Sequence, residues 1–255
     1  MMMETYAKPL NRVPEVTMAF WLIKLMAVTM GETAADYLAV NLGLGLTATS
    51  ILMAGVLALA LVWQFRQRRY VPVAYWVAVV LISVVGTLVT DNLVDNFGVS
   101  LTTTTVGFTL ALAATFWIWH RADHTLSIHD ITTFRREAFY WLAILFTFAL
   151  STSVGDQMAE QFGLGYAQTG LLFVLIILSL GIGYFFLGLD ATLGFWPAYI
   201  FTRPLGASLG DFLSQPAEYG GLGLGTILTS AGFLAAIAVL VGYMTLSGAG
   251  GQRTA

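Results

Sequence analysis

Eight long apolar stretches occupy most of this 255-residue chain and leave no segment long enough for a separate soluble domain. Each stretch is close to the roughly 20 residues with which a helix crosses the hydrocarbon core of a bilayer. Hydrophobic residues make up 58% of the chain and charged residues only 10%, unlike the composition of soluble proteins. The sequence therefore predicts an all-α integral membrane protein with eight transmembrane helices, at about 16–38, 47–65, 71–93, 102–119, 136–158, 167–187, 192–213 and 226–246.

A pairing of one tryptophan with one aspartate divides the chain into four repeats. The Trp-x14-Asp pairs are Trp21/Asp36, Trp76/Asp91, Trp141/Asp156 and Trp196/Asp211. Regular self-similarity of this kind is typical of a repeat protein. We predict one helical hairpin per repeat, at 16–65, 71–119, 136–187 and 192–246, grouped into two tandem four-helix halves, residues 1–125 and 126–255.

Each predicted hairpin crosses the membrane twice, so all four repeats enter it in the same orientation. Parallel repeats can surround one axis along the membrane normal, and we therefore expect a pseudo-fourfold arrangement with the four aspartates at one depth. At ~1.5 Å per residue, an aspartate fifteen positions after its tryptophan lies about 22 Å along the helix. Because tryptophan is enriched at membrane interfaces, we interpret the four tryptophans as interfacial anchors.

Most positive charges fall in the termini and in alternate connections between the apolar stretches. Nine of the eleven Lys and Arg fall in the N-terminus, the second and fourth connections, and the C-terminus: Lys8, Arg12, Arg66, Arg68, Arg69, Arg121, Arg135, Arg136 and Arg253. The connections near 39–46, 94–101, 159–166 and 214–225 have none. The positive-inside rule then predicts that both termini are cytoplasmic and that the connections without Lys or Arg lie outside.

The four repeated aspartates are the strongest candidates for a binding site. An ionised carboxylate inside the membrane is costly unless it is paired or faces a polar cavity. Carboxylate and hydroxyl oxygens suit hard divalent ions such as Mn²⁺, Mg²⁺ or Ca²⁺ better than soft copper. We predict a metal site formed by Asp36, Asp91, Asp156, Asp211 and Glu32, with Thr33, Asp95, Ser153, Glu160 and Ser208 as secondary polar residues. The alternative is that each aspartate caps a helix or bonds to backbone as a folding device.

Two cations fall inside apolar stretches and have no repeat equivalents. Lys24 and Arg203 both precede the aspartate of their own repeat, on its cytoplasmic side. They are candidates for gating residues or counter-ions of the acidic site. Structural ion pairs across the helix bundle are the alternative interpretation.

Several classes of function have no support in the sequence. The chain has no cysteine, no Ser/His/Asp constellation, no HExxH or Walker motif and no dinucleotide fingerprint. It also has no basic patch with interleaved aromatic residues. We therefore expect no enzyme activity, no nucleic-acid partner and no cofactor other than a bound divalent cation. The oligomeric state is left open.

Three segments, His129 to Trp141, Gly31 to Asp36 and Arg203 to Ser208, resemble a bacterial family of uncharacterised, membrane-anchored multi-pass proteins. The resemblance covers nearly the whole chain and implies a bacterial inner-membrane location. A more distant similarity, through Gly155-Asp156-Gln157 and Gly210-Asp211, is to manganese and calcium exporters with acidic motifs.

The leading hypothesis is a transporter of a divalent metal cation, with a Mn-like hard ion and export favoured, in which the four aspartates bind the ion. A second hypothesis is a proton-coupled transporter of an organic solute, in which the aspartates carry protons. A third is a membrane scaffold that does not transport and works through its cytoplasmic loops, so that replacing the aspartates would spare its function.

Overall fold

The computed structural model describes residues 10–248, which contain eight long helices and no strand. The helices are α1 (Met18–Asp36), α2 (Leu46–Phe65), α3 (Pro72–Asp91), α4 (Leu101–Asp123), α5 (Phe134–Asp156), α6 (Gly165–Phe186), α7 (Ala191–Ser214) and α8 (Thr226–Ser247). Seven of these described helices, all except α7, are long and apolar enough to cross a membrane, which indicates a membrane protein. α7 is less apolar because it carries Arg203, Asp211 and two internal prolines.

The four odd-numbered helices form a closed inner ring. α1 packs against α3, α3 against α5, α5 against α7, and α7 back against α1. A small residue five positions before each aspartate allows the close approach. In three repeats it is glycine, and an added Cβ would clash with the next helix, at Gly31 against Ser83, at Gly86 against Phe148 and at Gly206 against Val28.

The third repeat has Ser151 at this position, and the neighbouring helix explains why. Pro204 lies inside α7 and has no N–H to donate to the carbonyl of Ile200, four residues earlier. The hydroxyl of Ser151 lies 3.2 Å from that carbonyl oxygen and can donate to it. The same hydroxyl lies 2.6 Å from the carbonyl oxygen of Thr147 in α5, so its single proton can go to either carbonyl, and a donor from α5 is available where α7 has none of its own.

The even-numbered helices surround the ring, each lying on the inner helix of the following repeat. α2 packs against α3, α4 against α5, α6 against α7, and α8 against α1. The two helices of a predicted hairpin are therefore joined by a short turn, but the second packs mainly against its neighbour's inner helix. The α4–α5 and α8–α1 contacts both connect the two predicted four-helix halves.

The turn that follows each aspartate has the same form in three repeats and a different one in the fourth. After the first three aspartates the helix widens into a five-residue π-helical turn, at Tyr37–Asn41, Asn92–Asn96 and Gln157–Gln161. A glycine with positive φ, between 66° and 70°, then reverses the chain in each case. In the fourth repeat α7 continues to Ser214 and a short 3-10 turn, Ala217–Tyr219, follows.

The cationic connections meet at the opposite end of the ring from the aspartates. The N–H of Arg12 donates to the carbonyl of Ile131 at 3.0 Å, and the N–H of Tyr70 donates to that of Asn11 at 2.9 Å. Arg12 also forms an ion pair of 2.7 Å with Glu137, whose side chain is fully buried. The N-terminal segment is therefore bound to both the α2–α3 and the α4–α5 connections.

The interpretation of the repeated tryptophans as interfacial anchors is wrong for three of the four. Trp76, Trp141 and Trp196 are 1%, 3% and 5% exposed, and Trp21 is half-buried. The three buried indoles donate hydrogen bonds, for example from Trp196 to the carbonyl of Leu126 at 2.9 Å. Their rings pack into an aromatic core at the cationic end of the ring because the inner helices face one another there rather than lipid.

Candidate functional site

The four repeated aspartates line a single cavity of about 150 Å³ at the end of the inner ring. Each stands at the same register on its inner helix, so closing the ring brings all four to one level. Three further acids also line the cavity, so its carboxylates are Glu32, Asp36, Asp91, Asp95, Asp156, Glu160 and Asp211. The remaining lining residues are Val94, Leu101, Tyr166 and Gln215. The sequence-based grouping of the aspartates with Glu32, Asp95 and Glu160 therefore corresponds to one place in the structure.

The cavity is deeper on one side than on the other. Asp95 and Glu160 are exposed, the four aspartates are half-buried, and Glu32 is only 6% exposed. Asp95 and Glu160 stand one helical turn after the aspartate of their repeat, whereas Glu32 stands one turn before Asp36. The cavity therefore opens to the surface at the end where the turns have no Lys or Arg, and Glu32 lies at its floor.

Arg203 closes this floor from below. Its side chain is fully buried, and its Nη1 lies 2.8 Å from Oε2 of Glu32. Its Nη2 donates to Oγ1 of Thr152 at 2.8 Å and also to Oγ1 of Thr87. Thr87 in turn donates to Glu32 at 3.1 Å. One buried cation on α7 thus binds side chains of the other three inner helices and connects all four beneath the aspartates.

These contacts follow the repeat register. Glu32, Thr87 and Thr152 each stand four residues before the aspartate of their repeat, and the equivalent residue in the fourth repeat is Ala207. Arg203 lies one turn below Ala207 on α7. Because alanine leaves space beside the axis, the guanidinium reaches the level of the other three residues.

Below Arg203 the ring contains further buried side chains. Lys24 is fully buried and donates from Nζ to the carbonyl of Tyr199 at 2.5 Å, with its ammonium 3.8 Å from the centre of the Tyr199 ring. No carboxylate lies within ion-pair distance of Lys24 among residues 10–248. One turn further on, an aromatic layer fills the axis, consisting of Phe20, Tyr75, Tyr140 and Phe195. The cavity is therefore closed towards the cationic end.

The predicted hydroxyls Thr33, Ser153 and Ser208 do not line the cavity. Thr33 lies 2.6 Å from Ser230 of α8, and Ser153 lies 3.0 Å from Thr105 of α4. Ser208 is buried, 3.6 Å from where a Cβ would stand on Gly170 of α6. All three stand three residues before their aspartate, and this register faces the outer helix rather than the axis.

Two residues at the floor were missed by sequence reasoning. Thr87 and Thr152 bind Arg203, but their residue type alone does not mark them as site residues. The signal that could have found them is their register, four residues before the aspartate, which they share with Glu32. Tyr166 and Leu101 also line the cavity, and no repeat pattern in the sequence marks them.

The carboxylates surround a space rather than converging on one point. Within the part of the chain that the structure describes, no three acids or histidines are close enough to hold a metal ion together. The seven carboxylates nevertheless make the cavity strongly negative, with Arg203 as the adjacent cation. Such a cavity attracts cations and can hold them through water molecules.

Comparison with known proteins finds one family. The family model described as "Repeat of Unknown Function (DUF347)" matches residues 19–70, 74–125, 139–188 and 194–249. Each match contains one Trp/Asp pair, which confirms the prediction of four repeats. No curated protein and no solved structure matches the chain.

Proposed function

We propose that this chain, which belongs to the Repeat of Unknown Function (DUF347) family, is a membrane exporter of a divalent metal cation. The observation that carries the proposal is the position of the four repeat-equivalent aspartates around one cavity. If the aspartates only capped helices or bonded to backbone, the four carboxylates would not need to line a common space. Carboxylates so close together repel one another, and a divalent cation between them would relieve this repulsion.

The chemistry of the cavity favours a hard ion that keeps part of its water shell. Every polar side chain in the lining offers an oxygen atom as a metal ligand, and the only side-chain nitrogen in the lining is the amide nitrogen of Gln215. Hard ions such as Mn²⁺ and Mg²⁺ prefer oxygen, and Mg²⁺ in particular gives up its water reluctantly. Because no three acids converge within the described residues, we propose that water molecules fill the remaining ligand positions.

We further propose that all eight helices cross a bacterial inner membrane, including α7. α7 has 24 residues and packs between α5 and α1, so its charged residues face the ring and not the surrounding lipid. The cationic connections at one end of the ring favour cytoplasmic termini. With this orientation the acidic cavity opens to the outside and is closed to the cytoplasm, which corresponds to one state of an alternating-access cycle.

The test is cation flux in proteoliposomes that contain the full chain. Flux of Mn²⁺, Mg²⁺, Ca²⁺ and Cu²⁺ would be compared between the wild type and the single variants Asp36→Asn, Asp91→Asn, Asp156→Asn and Asp211→Asn. Glu218→Gln is the matched control, because Glu218 is an exposed acid in the last outer turn and does not line the cavity. We expect flux of hard ions that falls in all four aspartate variants and is unchanged in the control.

Two results would contradict the proposal. Absence of flux for every ion in the panel would remove the transport function, and equal flux in wild type and all four variants would remove the aspartates from the path. If the first result were accompanied by a cellular role that is unchanged in the four aspartate variants, the scaffold hypothesis would replace the transporter.

One observation favours a second candidate, a proton-coupled transporter of a small organic cation. An amine can bind separate carboxylates through its N–H groups and does not need three of them at one point. A space of about 150 Å³ can accommodate such a solute. This candidate predicts proton-coupled amine flux that is lost in the aspartate variants and is insensitive to divalent metals.

A further inference from the structure

The floor of the cavity contains a cation that the chain itself supplies. The residues at the level of Glu32 offer one carboxylate and the two hydroxyls of Thr87 and Thr152, which are ligand types that a hard cation prefers. The guanidinium of Arg203 is bound to all three of these oxygen-bearing side chains. Arg203 therefore occupies the place that a cation would take between the cytoplasmic end of the ring and the four aspartates.

Arg203 is a departure from the repeat and not a general feature of it. The residues eight positions before the other three aspartates are Val28, Ser83 and Phe148, none of which is charged. Only the fourth repeat combines a long cation at this register with a small residue, Ala207, one turn above it. The asymmetry allows one side chain to reach the axis where four identical ones would exclude each other.

The guanidinium is incompletely bound in spite of its burial. Among the described residues, Nε and Nη1 of Arg203 have no hydrogen-bond partner, although the side chain is fully buried and Nη1 lies 2.8 Å from Oε2 of Glu32. A guanidinium has five N–H groups, and burying one of them unpaired costs free energy. The side chain is therefore held mainly by its charge interaction with Glu32 and by two threonine hydroxyls.

The backbone near Arg203 is interrupted by two prolines inside α7. Pro204 follows Arg203 directly, and Pro197 lies two turns earlier in α7. Proline removes a helix hydrogen bond and permits a bend. The carbonyl of Ile200 that Pro204 leaves free is bound by Ser151 of α5. Movement of α7 away from α5 would therefore break few hydrogen bonds of α7 itself and would withdraw Arg203 from the axis.

We propose that Arg203 is a tethered competitor of the transported cation. It occupies the inner position at Glu32 while the cavity is open, and the ion reaches this position only when α7 moves Arg203 away. This inference rests on the proposed cation transport and adds how the inner part of that site is controlled. It predicts that Arg203 lowers the affinity of the resting protein for cations and prevents leakage through the floor.

The experiment is equilibrium binding of Mn²⁺ to the purified full chain, measured by the loss of the free-Mn²⁺ electron paramagnetic resonance signal. Wild type would be compared with Arg203→Gln, with Arg203→Lys and with the double variant Arg203→Gln/Glu32→Gln. Arg121→Gln is the control, because it removes an exposed cation at the far end of the protein. Thermal unfolding of each variant, followed by light scattering, shows which samples are folded.

We expect Arg203→Gln to bind Mn²⁺ roughly tenfold more tightly than wild type, because one buried charge no longer opposes the ion. Arg203→Lys keeps the positive charge, so its Mn²⁺ affinity should remain within about threefold of wild type. A small difference is expected because lysine lacks the planar fork of arginine. The double variant should lose the gain. If Arg203→Gln does not fold, Glu32→Gln alone still tests the inference, because it frees the arginine and should weaken Mn²⁺ binding.

The outcomes separate this inference from the function on which it rests. Wild-type binding that is lost in Asp156→Asn, together with unchanged or weaker binding in folded Arg203→Gln, would overturn the competitor role and leave the cation site in place. Binding that is unchanged in Glu32→Gln would also overturn it. Absence of Mn²⁺ binding in wild type and in all variants would overturn the proposed function and the inference together.

Discussion

The two ends of the inner ring differ in which features they repeat. At the open end all four repeats contribute the same residue type, an aspartate, at the same register. At the closed end the equivalent positions vary in charge, and the ring contains one lysine, one arginine and a layer of aromatic side chains. Carboxylates at equivalent positions can bind one ion together, whereas a single arginine is enough to fill the space at the axis of the ring. On the proposed function, binding would be distributed over the four repeats, whereas control would lie in a residue without repeat equivalents, Arg203.

The largest loss of cation flux is expected when half-buried acids of the cavity are replaced, and replacement of the exposed acids at its rim is the comparison. The double variant Asp91→Asn/Asp156→Asn removes two half-buried carboxylates and should lower cation flux by roughly a hundredfold, at ~1–3 kcal/mol for each lost charged contact. The double variant Asp95→Asn/Glu160→Gln removes two exposed carboxylates and should lower it by about threefold or less. Proteoliposome flux at one fixed ion concentration measures both. Equal losses would mean that depth does not matter.

A second comparison tests whether close contact between inner helices holds the ring together. Gly86→Ala places a methyl group against Phe148 and should destabilise the protein by about 1–3 kcal/mol, the usual cost of overpacking. Gly107→Ala on α4 meets no atom within 4 Å and should be neutral or slightly stabilising. Thermal unfolding in detergent compares the two. A loss of stability in Gly107→Ala equal to that in Gly86→Ala would contradict the ring contact.

A third measurement concerns the reach of the rim charges. Exposed carboxylates attract cations over about 10 Å at 0.1 M salt, and salt screens this attraction. The rate of Mn²⁺ flux that starts from the rim side should therefore fall as KCl is added to wild type, and it should fall less steeply in Asp95→Asn/Glu160→Gln. Flux measured between low and high KCl gives both slopes. Parallel slopes would show that the rim does not attract the ion.

The smallest effect is expected in the aromatic layer at the closed end. Tyr75 and Tyr140 are joined by a hydrogen bond of 2.6 Å between their hydroxyls. Tyr75→Phe should lower the stability by about 1 kcal/mol, the usual value for one hydrogen bond. Mn²⁺ affinity should be unchanged because this layer lies below Arg203. A change in affinity without a change in stability would place the tyrosines in the ion path.

The sequence predicted the elements and the main cluster of the site well. Long apolar stretches define the helices because only helices satisfy their backbone within one segment in lipid. The exact repeat register placed four aspartates at one level, and ring closure then brought them together. The positions of residues that recur in every repeat, such as Asp91 and Asp156, could therefore be predicted from the sequence.

Other features depend on which way a helix faces, and the sequence left this open. Thr33 and Ser153 are near an aspartate in sequence but face an outer helix, since each residue turns by 100° around the helix axis. Tryptophan is a residue type that is common at membrane interfaces, but three of the four repeated tryptophans are buried in the aromatic core. The packing of each outer helix on the next repeat could not be predicted, because a short turn permits contact with either neighbour.

That packing of outer helices has a consequence for how such a chain could have arisen. A chain with only the first two repeats would begin with an inner helix that has no outer cover and end with an outer helix that has nothing to cover. Two copies would supply each other's missing contact and close the same ring as a homodimer. Fusion of the two genes would then replace one subunit boundary by the α4–α5 connection and leave the other as the contact between α8 and α1, where the last helix of the chain lies on the first.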